Sequence, residues 1–271
     1  MPLYQIAVLA IVQGLFEFLP ISSEAHLIMV PALLGWPHNH GVQFEMAVQA
    51  GTLFAVVLYF WREVWQLVRG GVLLLLMGRM SDGGRLLLLL LLATLPLVGV
   101  AFAVRDEIEA LRQSYAAVAI AMIGFGLLLY AVDATFMQIR KLEHLGALNA
   151  LVLGLAQAIA LLPGTSRAGI TMTAGRFLGF ERQEAARFSM LMSIPVGFGQ
   201  LVLLARDAMS SGDVGFGGNA VFAAALAFGT AMLAIWFLMS WLKRANFGIF
   251  ALYRVLAGAA ILYWYYALRI G

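Results

Sequence analysis

The sequence predicts an all-α integral membrane protein, with six transmembrane helices and two re-entrant helical hairpins arranged as an inverted-topology repeat within a single membrane domain. Three observations lead there. Of the 271 residues, 63% are hydrophobic and 11% charged, against roughly 25% charged in an average soluble domain. Six apolar runs approach the about 20 helical residues needed to cross a bilayer. Two further runs are each cut near the middle by a proline beside hydroxyl residues.

Leu3 to Leu19 is apolar apart from Gln5, Gln13 and Glu17. Pro20-Ile21-Ser22-Ser23 breaks it, and Ala25 to Leu34 then runs apolar to Gly35-Trp36-Pro37. A limb of about ten residues reaches only halfway through the hydrocarbon, so the two limbs read as a hairpin that turns near mid-membrane. Met1 to Leu15 lacks a basic n-region, so no cleaved signal peptide is expected. Phe44 to Trp61 is the first full span, and an arginine-bearing loop is expected through Arg62, Arg69, Arg79 and Arg85. Leu86 to Val104 and Tyr115 to Val132 are two more spans.

The pattern then recurs. Ala147 to Leu162, a break at Pro163-Gly164 and a short limb to Leu178 form a second hairpin. Phe188 to Ala205, Ala220 to Leu242 and Phe247 to Leu268 complete the six spans. Leu19-Pro20-Ile21-Ser22-Ser23 stands beside Leu162-Pro163-Gly164-Thr165-Ser166, and Phe44 beside Phe188, which divides the chain into repeats of about 1–135 and about 146–271. Three spans per repeat is an odd number, so the second copy enters from the opposite face.

Orientation follows from the basic residues. Arg62, Arg69, Arg79, Arg85, Arg140, Lys141, Arg176, Arg182, Arg187, Lys243 and Arg244 fall on one side; Arg105, Arg112, Arg206 and Arg269 fall on the other. The positive-inside rule makes the larger group cytoplasmic and both termini external. The first hairpin then enters from outside and the second from the cytoplasm, so their tips can meet. The net charge of +3 lies between apolar runs, with no basic tail to hold a nucleic acid. Without cysteine there is no disulfide, thiolate nucleophile or thiolate metal site.

The polar residues expected at depth cluster at the two breaks. Gln13, Glu17, Ser22, Ser23, Glu24 and His26 surround the first; Gln157, Thr165, Ser166, Arg167 and Thr171 surround the second. Pro163 stops a helix, Gly164 frees the backbone, and Thr165 or Ser166 can cap the helix that restarts. Arg167 would sit in the first turn of that helix, where the dipole disfavours a cation unless an anion also binds. Two helix N-termini and an arginine suit a ligand with several negative charges, such as a diphosphate. The same dipole argument favours a neutral His26, with a ring nitrogen free to act as nucleophile or base. Glu17 could orient that imidazole or hold a divalent cation. Glu45, Asp133 and Arg254, within apolar spans, read as structural pairs, and His38 and His40 as solvated loop residues.

Gln13-Gly14-Leu15-Phe16-Glu17, Phe18-Leu19-Pro20-Ile21-Ser22-Ser23 with His26, and Pro163-Gly164-Thr165-Ser166-Arg167 with Gly169 and Thr171 resemble the undecaprenyl pyrophosphate phosphatase family, of the bacitracin-resistance type. Phe44 through Thr52 and Glu184 through Ser189 extend the resemblance over most of the chain. It implies a hydrolase of the bacterial inner membrane that removes one phosphate from a polyprenyl diphosphate carrier of cell-wall synthesis, with its site reached from the periplasmic side. It implies catalytic roles for His26, Glu17, Ser23 and Arg167, and phosphate contacts from Ser22, Gly164, Ser166, Arg167 and Thr171. Mg2+ or Ca2+ is the expected cofactor, at Glu17 and Gln13. The expected partners are the lipid substrate and membrane lipids, and not nucleic acid, with a homodimer left open. The sequence departs from the family at Ala168, commonly serine, and at Glu24-Ala25, commonly Thr-Gly or Ser-Gly; Gln13 is within its pattern. A transporter or flippase of an anionic lipid is the alternative, because broken helices in an inverted repeat also build transporters.

Overall fold

In hydrocarbon every backbone N–H and C=O must be satisfied within the protein, and a helix does so within a single segment. The computed structural model describes residues 1–36, 41–104, 108, 111, 114–211 and 217–270. Its helices are α1 Leu3–Phe18, α2 Ser23–Leu34, α3 Val42–Tyr59, α4 Trp61–Met77, α5 Asp82–Ala103 and α6 Tyr115–Thr135, followed by α7 Ala147–Ile159, α8 Arg167–Phe177, α9 Arg182–Ser211, α10 Gly218–Trp241 and α11 Gly248–Ile270. Six of these, α3, α5, α6, α9, α10 and α11, are long and apolar enough to cross a membrane. The limbs α1, α2, α7 and α8 have 16, 12, 13 and 11 residues. At 1.5 Å per residue the longest spans about 24 Å, short of the roughly 30 Å of hydrocarbon. His38, His40, Arg105, Arg112, Gly271 and the side chain of Arg269 lie outside the described residues.

Several helices extend beyond their apolar runs. Ser81 caps α5 by accepting from the Gly84 N–H at 3.2 Å, so the helix starts at Asp82 and not at Leu86. α9 starts at Arg182, with Glu184 in a first turn that favours an acid. Hydropathy marks the part of a helix in lipid, whereas the backbone ladder continues into the interface.

The segment expected as a loop through Arg62, Arg69, Arg79 and Arg85 contains a helix, α4, joined to α3 by Phe60 alone. Leu67, Gly70 and Gly71 are buried, whereas Trp61, Trp65, Val68 and Val72 are exposed. Its charges interrupt any apolar run, so a search for spans passes over it, although its apolar residues recur at helical spacing.

Packing interleaves the two halves. α1 lies on α10, α7 lies on α5, α3 on both α9 and α10, and α6 on α11. Lipid tails are as apolar as leucine, so helix contact in a membrane relies on close approach, which small residues permit. A Cβ at Gly14 would overlap the Ala227 carbonyl of α10, and one at Gly154 the Ala93 carbonyl of α5. α10 buries Ala220, Ala223, Ala227, Ala231 and Ala234.

At one end of the bundle Asp133 acts as the structural anchor the sequence suggests. It accepts from Arg176 Nε at 2.7 Å, from Arg182 Nε at 2.9 Å and from the Phe247 N–H at 3.1 Å. Arg176 also donates to the carbonyls of Phe136 and Phe180 at 2.9 and 2.5 Å. A charge pair this deeply buried is held by full hydrogen bonding. It ties the end of α6 and α8 to the start of α9 and α11.

Candidate active site

Each hairpin break ends in a serine that caps the next helix. Ser22 accepts from the Ala25 N–H at 3.3 Å and Ser166 from the Gly169 N–H at 3.1 Å. Both serines have positive φ, 79° and 69°, a region that side-chain-bearing residues rarely occupy. In backbone and cap geometry Ser166 matches Ser22, and not Ser23, which the Leu-Pro alignment sets beside it. The same sequence interval that separates Ser22 from Ser166 separates Gln13 from Gln157 and Phe44 from Phe188. The second break carries one more residue between proline and cap, taken up by Gly164 at φ 88°.

Glu17 is the hub of the first break. Its Oε1 is ion-paired with Arg167 Nη2 of the second break. Its Oε2 accepts from Ser23 Oγ at 2.9 Å and from Gln13 Nε2 at 3.0 Å. Side-chain exposures of 18% for Arg167 and 11% for Glu17 keep this pair largely out of water, where charge-assisted bonds are strong. Gln13, Glu17, Ser23 and Arg167, drawn from both breaks, thus form one connected group.

His26 stands apart from that group. Its Nδ1 lies 2.7 Å from the Ser22 carbonyl, one helical turn back, and its Nε2 lies 2.7 Å from the hydroxyl of Tyr253 on α11. Phe16 packs on the imidazole, ring centroids 4.3 Å apart. Glu17, expected as one possible support for this ring, is engaged across the break by Arg167, and the first turn of α2 directs His26 toward α11 instead.

Arg254, the residue after Tyr253, is fully buried. It donates to the Met122 carbonyl at 3.1 Å, to Gly164 and Thr165 at 3.0 and 2.7 Å, and to Pro20 at 3.4 Å. One guanidinium thus holds carbonyls of both breaks, which a helix interruption leaves without helical partners. The sequence reading gave Arg254 a structural role; its partners are carbonyls, not a carboxylate.

Thr171 is buried, and its hydroxyl bonds the Arg167 carbonyl at 2.8 Å and the Ser189 hydroxyl of α9 at 2.6 Å. It supports the first turn of α8. Ala168 is buried in the core with Met172, and Glu24 lies in the first turn of α2. Three polar groups around the second break are buried with no partner among the described residues: the Gln157 amide, Thr165 Oγ1 and Arg167 Nη1. Orphans of this kind are uncommon and call for a ligand or water. Tyr253 was not singled out from sequence. The Tyr253-Arg254 pair inside the apolar run from Phe247 to Leu268 is the signal that could have found it.

Six helices long and apolar enough to cross a bilayer, with two short capped helices whose breaks are joined by the Arg167–Glu17 pair, define a polytopic membrane protein. The chain belongs to the family described as bacitracin resistance protein BacA, whose model matches residues 6–260. It is 44% identical over 268 residues to undecaprenyl-diphosphatase 1 of Rhodospirillum rubrum, covering 97% of this chain and 95% of that protein. It is 44% identical to the undecaprenyl-diphosphatase of Alcanivorax borkumensis, covering 96% and 98%, and 40% identical to that of Alteromonas mediterranea, covering 98% and 100%.

Proposed function

We propose that this chain hydrolyses undecaprenyl diphosphate to the monophosphate and inorganic phosphate, the activity named for its relatives. The observation that carries the assignment to this site is Arg167: Nη2 is paired with Glu17 while Nη1 is buried without a partner. That free edge, with the first N–H groups of α2 and α8, is where the diphosphate binds. Ser22, Gly164 and Ser166 shape the two N-termini, and the Ser23 hydroxyl, which donates to Glu17 in the free protein, turns to the terminal phosphate when the substrate enters. Thr171 acts through the Arg167 backbone.

Either His26 takes a proton from water, which attacks the terminal phosphorus as the bridging P–O bond breaks and the lipid monophosphate leaves, or His26 Nε2 attacks and displaces the lipid monophosphate, and water then cleaves the N–P bond to release inorganic phosphate. Such a transition state spreads negative charge over the transferred oxygens, so fixed positive charge does most of the work. Among the described residues no group of three or more His, Cys, Asp or Glu gathers at one point. Glu17 and Gln13 instead offer one carboxylate and one amide, which suits a hard cation ligated chiefly by phosphate oxygens. Mg2+ or Ca2+ held there would neutralise phosphate charge.

The two hairpins are re-entrant and the halves form an inverted repeat. The exchanged packing of α1 on α10 and α7 on α5 and the shared Ser22 and Ser166 geometry support this. Both termini are periplasmic and the site opens to that side of the bacterial inner membrane, the reading supported by the basic-residue asymmetry. The flippase alternative is not favoured, because the relatives carry a hydrolase name. The test is phosphate release from undecaprenyl diphosphate by the detergent-solubilised chain. Turnover without a sealed membrane, lost in Arg167→Ala, is expected; no release by the folded wild type overturns the assignment.

A further inference from the structure

One ring nitrogen of His26 is assigned by chemistry. A carbonyl oxygen only accepts, so Nδ1, 2.7 Å from the Ser22 carbonyl, carries a proton. In the neutral ring Nε2 then holds the lone pair, and Tyr253, 2.7 Å away, donates to it. Nε2 is therefore the atom His26 must use, whether it attacks phosphorus or takes a proton from water.

We propose that Tyr253 is a positioning residue for His26. The Ser22 carbonyl sets the Nδ1–H tautomer; the Tyr253 hydroxyl holds the ring orientation through Nε2 and releases Nε2 when the diphosphate enters. This rests on the hydrolase reading of the same site. The two rings are nearly parallel, at 18° with centroids 5.7 Å apart, and Phe16 packs on the imidazole at 4.3 Å, so the imidazole is confined by both rings.

The backbone that carries Tyr253 is fixed as well. Arg254, the next residue, bonds carbonyls of Pro20, Gly164 and Thr165, which locks this turn of α11 to both breaks. Tyr253 is 40% exposed, so a membrane-interface tyrosine is the plainer alternative. That role gives no reason for its hydroxyl to meet the one basic nitrogen of His26. Tyr263 and Tyr266, farther along the same helix and also exposed, fit the interfacial role.

The test uses Tyr253→Phe in the full detergent-solubilised chain, since phenylalanine keeps the ring and removes only the hydroxyl. One readout is the nitrogen spectrum of labelled histidine without substrate, with the His26 signal identified by its loss in His26→Gln. Both proteins should show Nδ1–H, held by the Ser22 carbonyl, while the Nε2 signal of the variant should move to that of a nitrogen with no hydrogen-bond donor. The second is kinetics: kcat should fall about tenfold, as loss of one well-placed hydrogen bond allows, with KM within about twofold and the unfolding temperature unchanged. An unchanged His26 spectrum overturns the proposal, as does wild-type kcat, or a rise in KM with loss of thermal stability. The spectrum needs no turnover. A wild type that releases no phosphate sinks the hydrolase reading, whereas a spectrum unaltered by the substitution sinks the role of Tyr253.

Discussion

Ser22 and Ser166 share one unusual backbone geometry, with φ of 79° and 69°, and each caps a short helix with its own hydroxyl. One residue of each hairpin bears strain in return for a capped N-terminus, and strain of this kind concentrates at functional sites. The geometry separates two substitutions usually treated alike. Glycine removes the strain and, at a cap, costs only a few tenths of a kcal/mol, whereas alanine keeps the strain and loses the cap, at about 1 kcal/mol. Ser166→Gly should therefore unfold at a temperature equal to or above that of Ser166→Ala, and Ser22 should behave alike. Thermal unfolding in detergent checks the order, and alanine variants that prove the more stable would contradict the cap.

The pairing of Arg167 with Glu17 through one nitrogen leaves the other to grip phosphate. Lysine keeps the charge but has no planar fork to serve both at once. Arg167→Lys should lose between about tenfold and a hundredfold in kcat/KM, the range for one or two charge-assisted bonds. Near-normal turnover of that variant would reduce Arg167 to a structural residue.

His26 and Ser23 should separate in kinetics. His26→Ala is expected to abolish phosphate release while a non-hydrolysable diphosphate lipid still binds; Ser23→Ala, which removes one donor to Glu17 at 2.9 Å, should only slow it. Direct attack by His26 predicts an acid-labile, base-stable phosphoenzyme on rapid quenching. Substantial hydrolysis by folded His26→Ala would move the role to Ser23 or to a bound water.

Arg254 holds four carbonyls from α6 and the two breaks. Arg254→Met fills similar volume but leaves those oxygens unpaired, and should cost about 3 kcal/mol or more of stability together with most of the activity. Thermal unfolding and turnover measured on one preparation decide it. Unchanged stability would mean that water replaces the guanidinium without loss.

Orientation has its own test. A reporter fused after residue 271 should report a periplasmic location, and one inserted near Arg79, in the turn between α4 and α5, a cytoplasmic one. Reversed reporters would put the site on the wrong face for a carrier recycled at the outer leaflet.

Hydropathy and proline position are local properties, and they are enough to read the six spans and the two broken runs, with Glu17, His26 and Arg167 beside the breaks. A run of lipid-like residues has few structures open to it, and a charge placed in such a run demands a reason, so the primary sequence determines both. It could not determine which residues meet. His26 and Tyr253 are 227 positions apart, and Arg167 and Glu17 150; nothing local in either segment names the other. Helix α4 was missed because its charges hid its periodicity, and the cap register slipped because a Leu-Pro match says nothing of φ. Tertiary packing decided that Glu17 serves Arg167 and that Tyr253 serves His26, because a side chain takes the partner that neighbouring helices bring within about 3 Å, the reach of a hydrogen bond.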